Sequence, residues 1–387
     1  KGRLGTCACG ARRLRQARYM QYRVTTLLVS RIYYQSMINT NNPIKYFIIV
    51  LFVLSIDCIS TNYSHAGNSN STINAQNAHN NNESLNNKSN EKASYSNGKE
   101  DVFITQFSNM FMIRIGLAVP QANYAITKTD RVIEFYPNSN KIFNAELSYN
   151  DYGISGSYSL SESSLDEKKY GHTEYRDIQC YYWKDNYGAD AIYQKYDGYY
   201  KGQSNPDPKR PDLLIEYSLL NVYYIFFPEW FSFKAAFHQS EKQTKSGGTF
   251  LVMASMSYLD VSADYPLIPS NDFKDFGEAV GFQGGKYWGL TLSAGGMGTL
   301  VFFSDFFLTL GGFLGYGITK YDYSTDFGDN SGNRGLAKLN IRFSSGYNGE
   351  RFFSAIILVA DLQNYRLIQT NMQFMTGYIG IYFGTRI

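Results

Sequence analysis

The sequence is poor in cysteine, poor in charge and without a long hydrophobic run. Of its 4 cysteines, Cys7, Cys9 and Cys58 fall near the start, which leaves Cys180 alone in the remainder. One cysteine excludes an internal disulfide and a cysteine-based zinc site. Charged residues make up 18% of the chain, while Tyr (34), Gly (34) and Phe (27) are prominent. That balance fits poorly with a long helical protein, which favours Ala, Leu, Glu and Lys. An aromatic content of 17% argues against disorder as the main state. The apolar run Tyr46–Ile56 has 11 residues, short of the ~20 that a membrane-spanning helix needs. Acidic residues are absent from 1–36, which carry eight Lys or Arg. The formal charge of +3 therefore hides a net −5 after residue 36, and no nucleic-acid partner is expected.

The first hundred residues read as leader and spacer. Residues 1–36 look like upstream sequence read through a start at Met37; a long basic region from Met20 and a nucleic-acid-binding arm are the alternatives. Residues 37–66 have the pattern of an export signal: a polar start with Lys45, the apolar run, then Ser64 and Ala66 at −3 and −1 of the expected cleavage site. Cys58 is an alternative lipid-attachment point, although Asp57 stands where such signals want Gly, Ala or Ser. Residues 67–99 are rich in Asn and Ser and too poor in apolar residues to offset chain entropy, so a flexible tether is expected. His79 within it reads as incidental.

From residue 100 to 387 the period is two. In 141–150, Phe143, Ala145, Leu147 and Tyr149 alternate with Asn144, Glu146, Ser148 and Asn150. The alternation recurs through 152–162, 230–240, 284–302, 305–321, 334–347 and 372–386. Long amphipathic strands with Gly, Ser and fixed charges on the polar face fit an antiparallel transmembrane β-barrel, with the apolar face in lipid. A soluble β-sandwich is the alternative. Tyr181, Tyr182, Trp183, Tyr199, Tyr200, Phe226, Phe227, Trp230, Phe302 and Phe303 are expected in interfacial girdles. Thirteen segments qualify as strands, and single-chain bacterial barrels have even numbers. Twelve is the expectation, by dropping the first segment (109–119); fourteen stays open if RVIEFY (131–136) is a strand. Long connections at 120–140, 162–171, 201–212, 262–283 and 322–333 alternate with tight turns, so the long ones are expected outside the cell.

The stretch GHTEYRDIQCYYWKDNYGADAIYQKYDGYY (171–200), RPDL (210–213) and FSFKAAFHQSEKQTKSGGTFLVMASMSYLDV (231–261) resembles the domain-of-unknown-function family 4421. The resemblance covers about residues 100–387. It implies an exported outer-membrane barrel of diderm bacteria and carries no established activity.

No catalytic or cofactor motif stands out, and no metal site or cofactor is expected. GGKYWG (284–289) lacks the Ser or Thr that follows a Walker lysine. His238 and Ser240 would share a strand face, the one pattern that suggests a barrel-embedded lipid enzyme. A lumenal hydrogen-bonding histidine is the plainer reading. Arg114, Glu146, Lys234, His238, Lys338, Asn340 and Arg342 are the expected lumen-lining residues, with Glu216 beside them. Their charges either pair and plug a narrow lumen or line an anion-preferring path for small solutes. RPD (210–212) reads as a solvated turn, and Asp326, Asp329 and Asn330 as a solvated loop. The expected roles are a channel or uptake pore, or a scaffold for surface loops, in contact with outer-membrane lipid.

Overall fold

A computed structural model describes residues 102–387 apart from 108–109, 129–130, 139–140, 161–164, 203–207 and 368–369. The expected leader, signal and tether lie outside the described residues, as do Cys58 and His79. The strands are β1 (Ile104–Gln106), β2 (Phe111–Lys128), β3 (Arg131–Tyr136), β4 (Ile142–Tyr149), β5 (Tyr152–Ser159), β6 (Glu174–Lys184), β7 (Tyr187–Lys201), β8 (Lys209–Ile225), β9 (Glu241–Gln243), β10 (Gly247–Ser262), β11 (Gly284–Phe302), β12 (Phe306–Thr325), β13 (Gly328–Asn348), β14 (Phe352–Arg366) and β15 (Asn371–Arg386).

Twelve of these close into an antiparallel barrel. The order is β2-β4-β5-β6-β7-β8-β10-β11-β12-β13-β14-β15, and β15 pairs back onto β2 from Asn371↔Thr127 to Arg386↔Met112. Closure leaves the wall without an open edge, the condition for a sheet in lipid. Twelve is the expected number, but the subtraction differs. Segment 109–119 is wall from Phe111 onward. Segment 230–240 is not, because Ile225 of β8 pairs directly with Leu251 of β10 and no slot remains between them. RVIEFY is a strand without being a wall-crossing one: β3 bonds the far end of β2 and touches β7 at Phe135 and Tyr136, bridging above the short β4 to β6.

Tight turns close one end of the barrel, several with residues at positive φ such as Asn150 (52°) and Asp185 (47°). Two connections expected to be long loops are largely strand. β2 runs through 120–128, and β12 and β13 continue to a short turn at 325–328. In both stretches the apolar residues face inward (Ala122, Tyr124 and Ile126 in β2, Tyr321 and Tyr323 in β12) and the outer face is polar.

The outward face carries an apolar belt. Rings meet along its turn-end edge, with Phe111 on Tyr149 (4.6 Å), Tyr152 on Tyr182 (4.8 Å), Tyr187 on Tyr224 (5.3 Å) and Phe306 on Tyr347 (5.4 Å). The other edge is a charged row in direct register: Lys195, Glu216, Asp260, Lys286 and Asp322. Tyr193 and Tyr258 hydroxyls donate to Glu216 (2.7 Å) and Asp260 (2.9 Å), as rings at a lipid–water boundary do. On β12 the belt runs from Phe306 to Ile318, about 40 Å along the strand and about 30 Å across the membrane after tilt. On β7 it runs only from Tyr187 to Tyr193, about 20 Å along the strand and about 15 Å across. The chain is a transmembrane β-barrel.

Candidate functional site: the filled lumen

The segment excluded from the wall turns into the lumen. Between β8 and β10 it forms one turn of π-helix, Lys234–His238, and buries Phe231, Phe233, Ala235, Ala236 and Phe237. Its alternation of Phe with polar residues is genuine, but Ala235 and Ala236 are both small and both buried, which a curled segment allows. A π-turn leaves carbonyls without helical partners, and buried carbonyls need donors. The wall supplies them. Arg114 Nη1 donates to Phe237 O (2.5 Å), Ser344 Oγ to Ala236 O (2.6 Å), and Arg386 Nε to Gln239 O (3.1 Å). Gln239 itself takes a left-handed conformation, φ 55°. Lys234 Nζ sits 2.8 Å from Asp151 and 2.7 Å from Glu241. The short β9 pairs with β1, which brings the chain's N-terminal side onto the plug.

Aromatic rings of the wall clamp the plug. Trp183 stacks on Phe233 at 3.9 Å and 13°, and Tyr181 stacks on His238 at 3.7 Å. Glycine makes room for both rings. A Cβ on Gly188 would lie 2.0 Å from the Trp183 ring, and one on Gly153 would lie 2.1 Å from Tyr181. The inward glycines of the sequence therefore do not hollow the barrel on this side; neighbouring rings fill them.

Above the plug lies a polar layer. Arg114 and Glu146 face each other in register and form a buried ion pair, and Tyr181 Oη donates to Glu146 at 2.8 Å. Arg342 pairs with Asp361, Nη2 to Oδ2 at 3.1 Å. Lys338 Nζ donates to Ser255 (3.0 Å) and Asn221 (3.3 Å), and Asn221 Nδ2 donates to Asp190 (2.8 Å). A void of about 90 Å³ remains beside Arg114, Glu146, Asp177 and His238. Asn144 Oδ1 and Asp177 Oδ1 have no hydrogen-bond partner among the described residues, and both side chains line the void, which has the size and polarity to hold a few waters.

The loop-end half is aromatic. Tyr124, Tyr196, Tyr199, Tyr217, Tyr287, Tyr321 and Tyr365 are almost wholly buried there. Tyr365 Oη donates to Gln363 at 2.5 Å, and Tyr217 shares the same amide. The connection 263–283 folds over this layer as a lid, burying Leu267, Ile268, Phe276, Val280 and Phe282. RPD is its clasp, not a solvated turn. Arg210 and Asp212 lie in β8 and form a two-pronged pair (2.8 and 2.7 Å). Arg210 also donates to Tyr265 O (2.7 Å), and Tyr265 N donates to Asp212 (3.1 Å). Asp326 accepts from Ser270 of the lid at 3.1 Å, and Asp329 accepts from Ser324 at 2.6 Å.

The structure brings Arg114, Glu146, Lys338, Asn340 and Arg342 to the interior from wall strands, and Lys234 and His238 to it from the plug. Glu216 faces out. At its height the barrel has risen past lipid, so the outer face is charged and the inner one, with Ile215 and Tyr217, is the apolar face. Of the expected girdle, Tyr182, Phe226, Phe302 and Phe303 face outward, whereas Tyr181, Trp183 and Tyr199 point into the lumen. His238 and Ser240 do not form a pair along a strand. His238 Nδ1 lies 3.5 Å from Glu146, and Ser240 Oγ has no hydrogen-bond partner among the described residues. Nor do the described residues include a cluster of three His, Cys, Asp or Glu side chains placed for a metal ion. Asp361 and Asp190 escaped the sequence reading. Asp361 was detectable as the one charge on an inner face otherwise built of Phe353, Ala355, Ile357, Val359, Gln363 and Tyr365.

A family model matches residues 99–386, which takes in wall, plug and lid together. The chain belongs to the family Domain of unknown function (DUF4421). No curated protein matches this DUF4421 chain. Among solved structures it is similar to the outer membrane protease OmpT of Escherichia coli, at 8% identity over 72% of this chain and 97% of that one, with a TM-score of 0.36. It is also similar to an outer membrane channel of Pseudomonas putida F1, at 8% identity over 74% and 98%, TM-score 0.33. Neisserial surface protein A gives 8% identity over 72% and 97%, TM-score 0.23. The twelve-strand ring of this DUF4421 barrel stands on its own hydrogen-bond register.

Proposed function

We propose that this protein is an outer-membrane barrel, closed at rest, that serves as a scaffold holding a folded platform at its loop end. The observation that carries the reading is that the lumen is filled from both sides, by the plug from the turn end and by the tyrosine layer and lid from the loop end. A solute path needs a continuous hydrated passage, and the void between the layers is only about 90 Å³. The loop end faces the exterior in this reading, since long connections of such barrels do. The reading is non-enzymatic: the lumenal histidine leans on Glu146 and Tyr181 inside the barrel. The test is planar-bilayer recording on the full chain, with heat-modifiable gel migration on the same sample. The expected result is a migration shift without steady conductance. Steady conductance steps would replace the scaffold with an uptake pore.

A further inference from the structure

At the turn-end mouth one strand edge has no partner strand among the described residues. β1 bonds β9 through Phe103 and Thr105: Thr244 N donates to Phe103 O at 2.8 Å, and Thr105 stands opposite Lys242 in the same register. Hydrogen-bonding sides alternate along an antiparallel strand. The N–H and C=O groups of Ile104 and Gln106 therefore point away from β9. Among the described residues β1 has no second neighbouring strand. Ile104 and Gln106 line a crevice of about 440 Å³. Its lining includes Ile104 and Gln106 on one side and Asp185 and Glu229 at the rim, with Trp183 and Phe231 supplying buried apolar surface.

We propose that this crevice binds an extended polypeptide segment, added as a strand to the free edge of β1, with apolar side chains at alternate positions and basic ones between them. Three observations select that occupant. A row of outward backbone groups is satisfied in register by another backbone. An added strand places every second side chain on one face, and the crevice lining includes the apolar Trp183, Phe231 and Phe233. The crevice lining also carries three carboxylates, Asp185, Glu229 and Glu241, against two lysines, Lys184 and Lys234. Lys234 is flanked by two carboxylates, Asp151 and Glu241, and Asp185 and Glu229 outnumber Lys184 at the rim. A basic segment complements that field and an acidic one is repelled. The inference is independent of whether the barrel conducts.

The test uses the full chain in lipid nanodiscs and a fluorescein-labelled nonapeptide of alternating Val and Lys. Two control peptides replace every Lys with Glu, or every second Val with Pro. The Val–Lys peptide is expected to bind at least tenfold more tightly than either control. Amide exchange at Ile104 and Gln106 is expected to slow at least tenfold on binding, while Thr105 is slow beforehand. Ile104→Pro deletes one outward N–H without removing a bond to β9, and it should abolish binding. The pair Asp185→Lys and Glu229→Lys leaves the backbone edge in place and should weaken binding tenfold with unchanged gel migration. Equal binding of the three peptides, or full binding by Ile104→Pro, overturns the proposal. So does slow exchange at Ile104 and Gln106 in the peptide-free chain, which would mean that the chain's own preceding residues or a second copy already cover the edge.

Discussion

The two halves of the lumen are filled by different means. In the turn-end half the filling is a piece of irregular backbone, and the wall meets it with cations and hydroxyls aimed at its carbonyls. In the loop-end half, the layer beneath the lid is made of the wall's own side chains, whose backbones are already bonded in the barrel. Rings, phenols and one shared glutamine amide suffice there. The lesson is that a foreign segment in a barrel costs polar wall residues, whereas an inward-growing core does not.

Removing Arg114 strikes the first half hardest. Arg114→Leu leaves Glu146 buried without its partner and Phe237 O without a donor, and loss of one member of a buried pair costs about 3–5 kcal/mol. Urea titration read by heat-modifiable migration should show that loss. The double variant Arg114→Leu with Glu146→Leu should recover much of it. Gly188→Ala comes next. Its methyl would overlap the Trp183 ring, and overpacking of this kind costs about 1–3 kcal/mol. Near-ultraviolet circular dichroism should report the displaced Trp183–Phe233 stack. In the loop half, Tyr217→Phe removes one hydroxyl from the Gln363 amide and should cost about 1 kcal/mol. If Tyr217→Phe matched Arg114→Leu in the same titration, the two halves would not differ as described. The smallest effect is expected from Asp212→Asn, with about 1 kcal/mol or less on global stability. Its signature should be local: faster protease cleavage within 263–283 as the lid clasp loosens.

The wall was legible because each strand keeps one parity while it crosses lipid. Asn144, Glu146, Lys338, Asn340 and Arg342 all point inward as the alternation says. The parity rule fails where its physical cause ends. Above lipid the outer face meets water, so Glu216 turns out while Tyr217 turns in. Below, an apolar layer inside the turn end draws Tyr181 and Trp183 off the expected girdle. The plug was not legible because a buried segment flanked by a buried face can alternate as well as a strand. Only the direct pairing of β8 with β10 excludes 230–240 from the wall. The pairing of Arg342 with Asp361 depends on register across a hairpin, which single-strand patterns do not contain.

The belt that is high beside β12 and low beside β7 makes this barrel a wedge to the membrane around it. A bilayer of uniform thickness cannot match both sides. Lipids beside β7 must compress or the barrel must lean toward them, and each ångström of mismatch costs a fraction of a kcal/mol. The thinned side is where acyl chains are least ordered. A neighbouring protein with an equally short wall would relieve the strain by meeting the barrel there, so the low side sets the orientation in which it crowds against others.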